Sequence, residues 1–258
     1  MDGSGEVRAV KKFFAESMPQ NHESLAQHIH DIRRELKFLI EPAYREGAIR
    51  FFKEPIKVLG VRTPSVRRLA RKHRPQTGIH SKQEIFDACE EFLRSGWNEE
   101  TTIACAWAAD LRKQFHPSDF PRWERWIKTY VTNWSICDDF CSHVMGPFLV
   151  MFPEFLSRIE LWAHAKNRWM RRASAVSLIV PLRHGLYLDE AFHQAEVLLQ
   201  DEDDLVQKGY GWMLKGASAC FPDQVFTFVM DHRKTMPRTA LRYAIEKYPA
   251  HLRRQAMD

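Results

Sequence analysis

Little in this chain belongs to a secreted, membrane-spanning or cofactor-motif protein. Its 258 residues include five cysteines, an odd number at irregular spacings in apolar company, so no disulfide framework is expected. Cys89, Cys105, Cys137, Cys141 and Cys220 read instead as buried free thiols in a reducing cytoplasm. No signal peptide and no apolar run long enough to cross a bilayer is found, so no membrane partner is expected. Cys137 and Cys141 stand one helical turn apart, but no His/Cys pair follows at zinc-ligand spacing. His28 and His30 form only a lone H-x-H, and no metal is expected. Neither a G-x-x-x-x-G-K-S/T loop nor a G-x-G-x-x-G turn occurs, so no cofactor is expected. Alternating runs are few, and no stretch rich in Gly, Ser or Pro divides the chain.

What is present is helix. At 45% hydrophobic and 28% charged residues the composition is that of a soluble globular protein. Apolar residues recur at three and four, which predicts helices at about 5–17, 22–40, 42–52, 63–74, 81–95, 98–114, 119–131, 134–151, 153–165, 168–183, 188–200, 203–220, 222–234 and 238–247. Ser81-Lys82-Gln83-Glu84 fits a capping box. Pro64, Pro121, Pro153, Pro222 and Pro237 fall near helix starts, and Gly78, Gly96, Gly146 and Gly185 punctuate ends. From Ser81 onward the helices pair into units of roughly 35 residues, as solenoid repeats do. The expectation is a single all-α domain over 1–258, a curved α-solenoid of antiparallel helix pairs.

Charge is segregated along the chain. Ile56–Pro75 carries Lys57, Arg62, Arg67, Arg68, Arg71, Lys72 and Arg74 without an acid, and Ala165–Gly185 carries Lys166, Arg168, Arg171, Arg172 and Arg183 likewise. Arg233, Lys234, Arg238, Arg242, Lys247, Arg253 and Arg254 follow in the tail, while acids gather in Glu84–Glu100 and Asp189–Asp204. The net charge of +5 is modest, but this distribution predicts one basic surface facing a polyanion.

The most informative stretch is Asn133-Trp134-Ser135-Ile136-Cys137-Asp138-Asp139. On a helix Trp134 and Asp138 share a face, and an indole beside a carboxylate suits a cationic aromatic ligand. Asp139 points about 100° away from Asp138, so the two do not form an acid/base pair. Asp139 is expected to meet solvent or a neighbouring cation.

Taken with Gly60-Val61-Arg62-Thr63-Pro64, Trp134-x-x-x-Asp138 with Gly146 two turns on, Arg168-Trp169-Met170-Arg171-Arg172 and Gln207-Lys208-Gly209-Tyr210-Gly211-Trp212, the chain resembles the DNA alkylation repair family, the AlkD-like group of HEAT-repeat DNA glycosylases. The resemblance spans about 56–250, behind N-terminal helices to about residue 55 that match no functional position of the family. It implies a bacterial-type enzyme that removes N3- and N7-alkylated purines from double-stranded DNA and leaves the lesion unsheltered while gripping the backbone. Asp138 would be its catalytic carboxylate, Trp134 and Trp212 the walls of the cleft, and Arg172 a phosphate contact beside the lesion. Gly209 and Gly211 suggest close approach of a backbone or ligand to Trp212. Lys208, Arg238 and Arg242 are further candidate phosphate ligands, with Arg68 and Lys72 behind them. Tyr44 and Phe51 are read first as packing residues, with lining of the cleft as the alternative reading of either.

The chemistry fits one carboxylate. Alkylation at N3 or N7 makes the purine a cation and a good leaving group, so no general acid is needed. Asp138 then has only to stabilise an oxocarbenium-like sugar and guide a water to it. No lysine stands in place for a Schiff base, so lyase chemistry is not expected. A non-catalytic relative that binds damaged or branched DNA, and a protein-interaction scaffold, are the competing readings. A monomer suffices for the glycosylase mechanism.

Overall fold

A computed structural model of the chain describes residues 24–258. The helix expected at 5–17 lies outside them. Among the described residues the regular structure is helical throughout, apart from one isolated bridge between Lys57 and Trp97. The N-terminal helices are α1 (Leu25–Phe38), α2 (Pro42–Phe51), α3 (Thr63–Lys72), α4 (Lys82–Ser95), α5 (Asn98–Asp110) and α6 (Phe120–Tyr130). Next come α7 (Trp134–Phe140), α8 (Gly146–Met151), α9 (Leu156–Trp162), α10 (Arg168–Val176) and α11 (Ile179–Arg183). The chain closes with α12 (Leu188–Val197), α13 (Asp204–Ala217), α14 (Pro222–His232), α15 (Arg238–Ala244) and α16 (Ala250–Met257).

Local chemistry sets many of the boundaries. The Ser81 side chain accepts from the Glu84 amide and Glu84 answers to the Ser81 amide, so the capping box forms as expected. Gly96 ends α4 in the left-handed region at φ 72°. Two long expected helices depart from regular α-helix, and a proline accounts for each departure. Pro181 has no N–H for the Ser177 carbonyl, and the chain breaks between α10 and α11 around that serine. Pro147 likewise leaves the His143 carbonyl without its usual donor, and a π-helical turn at Cys141–Met145 joins α7 to α8. Gly146 therefore does not end a helix. It sits inside this continuous one at φ −60°, where a Cβ would lie 2.9 Å from Val180 Cβ. The closing helix α16 was not expected, since Ala256 is its one buried residue.

The helices stack in two layers. One holds α3, α5, α7–α8, α10–α11, α13 and α15, each packed on the next, and the other holds α4, α6, α9, α12 and α14. The six N-caps of the first layer, Arg62, Trp97, Asn133, Asn167, Asp203 and Pro237, recur every 34 to 36 residues. Side chains of the second layer reach back by a similar interval, 33 to 40 residues. Arg125, Trp126 and Tyr130 donate to Glu90, Trp162 donates to Glu124, and His193 pairs with Glu160. Between the layers lies a core of large side chains, with Trp107, Trp123, Trp126, Tyr210, Phe86 and Phe148 all fully buried. Cys89, Cys105, Cys137 and Cys141 are buried there as free thiols, whereas Cys220 is exposed, contrary to expectation.

The Gly60-Val61-Arg62-Thr63-Pro64 motif is explained by a turn. Gly60 has φ 100°, and a Cβ on it would lie 2.6 Å from Arg45 Cβ, so only glycine fits against α2. The buried Glu99 carboxylate accepts the amides of Leu59, Gly60 and Val61 at 2.8 to 3.1 Å and holds the turn onto α5.

Candidate active site

Asn133 caps α7 by accepting the Ile136 amide at 3.0 Å, and this cap sets the rotation of the whole short helix. Ile136, Cys137 and Phe140 then turn into the core, and Trp134 and Asp138 share the opposite face. Both line a cavity of about 360 Å³ with Trp212 and Lys208 of α13 and Arg172 of α10, so the structure brings together five of the expected site residues. Lys215 and Tyr243 complete its wall on the α13 and α15 side.

Asp138 is held by two parallel bonds. Arg172 Nε donates to Oδ1 and Nη2 to Oδ2, each at 2.8 Å. The third nitrogen of Arg172, Nη1, donates to the Leu205 carbonyl. Arg172 is only 5% exposed. Every guanidinium nitrogen of Arg172 is engaged within the chain in this conformation, and the pair fixes the carboxylate in place. Burial pushes the Asp138 carboxyl above the usual carboxylate range, and the guanidinium pulls the other way. Gly209 belongs to the same arrangement, because a Cβ there would press on Arg172 Cγ at 3.2 Å. Gly211 is spent on packing: a Cβ would lie 2.7 Å from the Ala240 carbonyl of α15.

Asp139 points away, as its helical position requires. It pairs with Arg67 at 2.5 Å and His143 at 3.1 Å. The Asp139 hydrogen bond raises His143 above the usual histidine range. Arg171 is likewise a structural cation, bound to Asp201 at 2.6 Å.

The expected phosphate ligands separate. Lys208 lines the Asp138 cavity, 3.2 Å from Asp204. Arg238 donates to the Met257 carbonyl at 2.8 Å, and Arg242 lines a different depression with Arg253 and Arg254, so neither joins the cavity. Lys72 is taken by Glu35 at 2.7 Å, and Arg68 leans on Ser65. The acid-free runs of sequence are thus largely paired in space. Arg62, Arg67, Lys72 and Arg74 meet Glu41, Asp139, Glu35 and Asp110, and Arg168 meets Asp203.

Several residues of the site were not foreseen. A second cavity, of about 420 Å³, shares Trp212 and Lys215 with the first and is edged by Arg183 and Lys247. Those two cations form no ion pair among the described residues. Phe51, for which cleft lining was the alternative to packing, is 72% exposed and lines the Asp138 cavity, beside the unforeseen Lys53 and Glu54. Tyr44 lies under the Arg62 guanidinium at 5.0 Å and faces a neighbouring groove instead. Only Lys215 had a readable signal, standing one turn beyond Trp212 on α13.

A solved structure similar to this chain is a "Predicted DNA alkylation repair enzyme from Enterococcus faecalis", with a TM-score of 0.72 over 82% of this chain and 97% of that one. At 18% sequence identity that likeness is one of fold. Comparison with curated proteins finds no match. The family model described as DNA alkylation repair enzyme matches residues 32–248, from α1 through α15 and therefore across every wall of the Asp138 cavity; the chain belongs to that family.

Proposed function

We propose that the protein is a monofunctional glycosylase that hydrolyses the N-glycosidic bond of N3- and N7-alkylated purines in duplex DNA. The observation that carries this reading is the Asp138 carboxylate, fixed by a buried arginine at a cavity walled by two indoles. A cationic purine is drawn to the faces of Trp134 and Trp212. As its bond to C1′ stretches, positive charge moves onto the sugar, where a preorganised carboxylate stabilises it without reorganising. Water attacks C1′, the base departs as a neutral purine, and the proton of the water passes to Asp138 or to solvent. Lys208, Lys215, Arg183 and Lys247 hold the flanking phosphates. A monomer is sufficient for all of this.

The test is release of free 7-methylguanine and 3-methyladenine from methylated duplex DNA by wild type and Asp138→Asn. Wild-type release that falls by about 100-fold or more in the variant, with DNA binding retained, is expected for a group acting on the transition state. One observation favours a second reading, a non-catalytic DNA-binding protein: both oxygens of Asp138 are occupied by Arg172. Tight binding without release from wild type would establish that reading instead.

A further inference from the structure

Lysines reach the Asp138 cavity from two remote parts of the chain and end on one carboxylate oxygen. Lys53 follows α2, and its Nζ donates to Asp204 Oδ2 at 2.6 Å. Lys208 lies one turn along α13 from Asp204, and its Nζ donates to the same Oδ2 at 3.2 Å. The Lys208 contact is an ordinary pair of a helix surface. The Lys53 contact spans 151 residues, several times the repeat interval, and brings a second ammonium group to a carboxylate already served.

The neighbouring charges are settled among themselves. Arg168 takes both Glu54 and Asp203, at 2.9 and 2.6 Å. Among the described residues Lys53 and Lys208 bond Asp204 and nothing else, so two cations share one anion. The Lys53 hydrogen bond first, and Lys208 after it, hold the Asp204 carboxyl below the usual carboxylate range, so it stays ionised at neutral pH.

The position suits an anion from outside. Both lysines line the Asp138 cavity and Asp204 does not, so the lysines, and not the acid, face the open site. The Lys53 side chain is 71% exposed, and an exposed pair holds weakly. A lysine stem is flexible enough to turn its ammonium group from a carboxylate to a phosphate. A phosphodiester carries the same single charge as the carboxylate and offers two free oxygens, one to each lysine.

We propose that Lys53 and Lys208 form a site for one DNA phosphate at the rim of the Asp138 cavity, and that Asp204 holds this place in the absence of DNA and competes with the phosphate for it. The proposal rests on the duplex-binding part of the glycosylase reading. Such a site grips the backbone and leaves the damaged base unenclosed, and it brings a residue of the N-terminal stretch into the interface.

The experiment measures binding of the full chain to duplex DNA with a tetrahydrofuran residue at the lesion position, over a series of salt concentrations. Wild type is compared with Lys53→Ala, Asp204→Asn, their combination and Glu202→Gln. Glu202 is exposed, stands two residues before Asp204 and forms no ion pair among the described residues, so its substitution removes the same charge without freeing a lysine. Lys53→Ala is expected to weaken binding and to lower the slope of log K against log salt by about 0.9. Asp204→Asn is expected to tighten binding by about fivefold, the scale of an exposed pair released, and Glu202→Gln by less than about twofold. In the Lys53→Ala background the gain from Asp204→Asn should fall to about twofold or less, because one of the competing cations is gone. An unchanged slope in Lys53→Ala, unchanged or weaker binding by Asp204→Asn, an equal gain in Glu202→Gln, or a gain that survives without Lys53 overturns the site. If wild type binds no duplex, the DNA reading fails by itself. The site is then decided by pyrophosphate binding, followed through tryptophan fluorescence because Trp134 and Trp212 line the same cavity. Tighter binding in Asp204→Asn that Lys53→Ala abolishes supports it; equal affinities, or no binding, overturn it.

Discussion

Asp138 and Arg172 show how little of a side chain's role its type determines. An arginine in a basic run reads as a surface cation, yet Arg172 is 5% exposed and both outer nitrogens and Nε are engaged. Removing it leaves a buried carboxylate without its counter-ion, so Arg172→Ala is expected to cost about 3–5 kcal/mol in urea unfolding. A loss below about 1 kcal/mol, the range of an exposed pair, would show that the two do not depend on each other. The carboxyl also carries a pH signature. Its folded-state pKa is raised by burial, and the ionised form is the one proposed to act, so base release is lost as pH falls through that raised value. The acid limb of kcat is therefore expected above the ordinary aspartate value of about 3.9; a limb at or below it refutes the assignment. The sequence placed Trp134 and Asp138 on one face because helical pitch is local. It did not place Arg172 on Asp138, because that contact crosses two helices.

At the scale of the element, the sequence predicted helix type well and helix length less well. The capping box at Ser81 and the left-handed Gly96 are local chemistry, legible in four or five residues. Internal prolines leave no mark on apolar periodicity: Pro181 divides the helix expected at 168–183, and Pro147 puts a π turn into the one expected at 134–151. Gly211 shows the same limit from the other side. Its reason is the Ala240 carbonyl on α15, nearly thirty residues away in sequence: the close approach is a backbone's, one of the two the sequence left open. Gly211→Ala must push α13 and α15 apart, and a cost of about 1–3 kcal/mol is expected from overpacking. Chemical denaturation of the variant tests this, and a neutral or stabilising substitution would show that the contact yields.

Across the whole molecule the repeat dominates. N-caps every 34 to 36 residues start the six first-layer helices, and the side chains around the cavity come from α7, α10, α13 and α15 within that layer. Duplex DNA is the partner proposed for this surface, and binding should weaken steeply with salt. Each phosphate contact removed is expected to lower the slope of log K against log salt by about 0.9, so Arg183→Ala with Lys247→Ala should flatten it by nearly twice that. An unchanged slope would remove both residues from the interface, and Asp138→Asn should leave it unaltered. The sequence by itself determined the all-helical class, the period near 35 residues, the family resemblance and the shared face of Trp134 and Asp138, because each depends on contacts within one or two turns or on a recurring interval. The tertiary structure alone decided which cations remain unpaired and that Arg172 serves Asp138. It alone brought Phe51, Lys53 and Glu54 to a cavity whose other walls lie eighty or more residues away in sequence. Charge pairing and cavity closure depend on distances between segments that are remote along the chain, and only packing sets those distances.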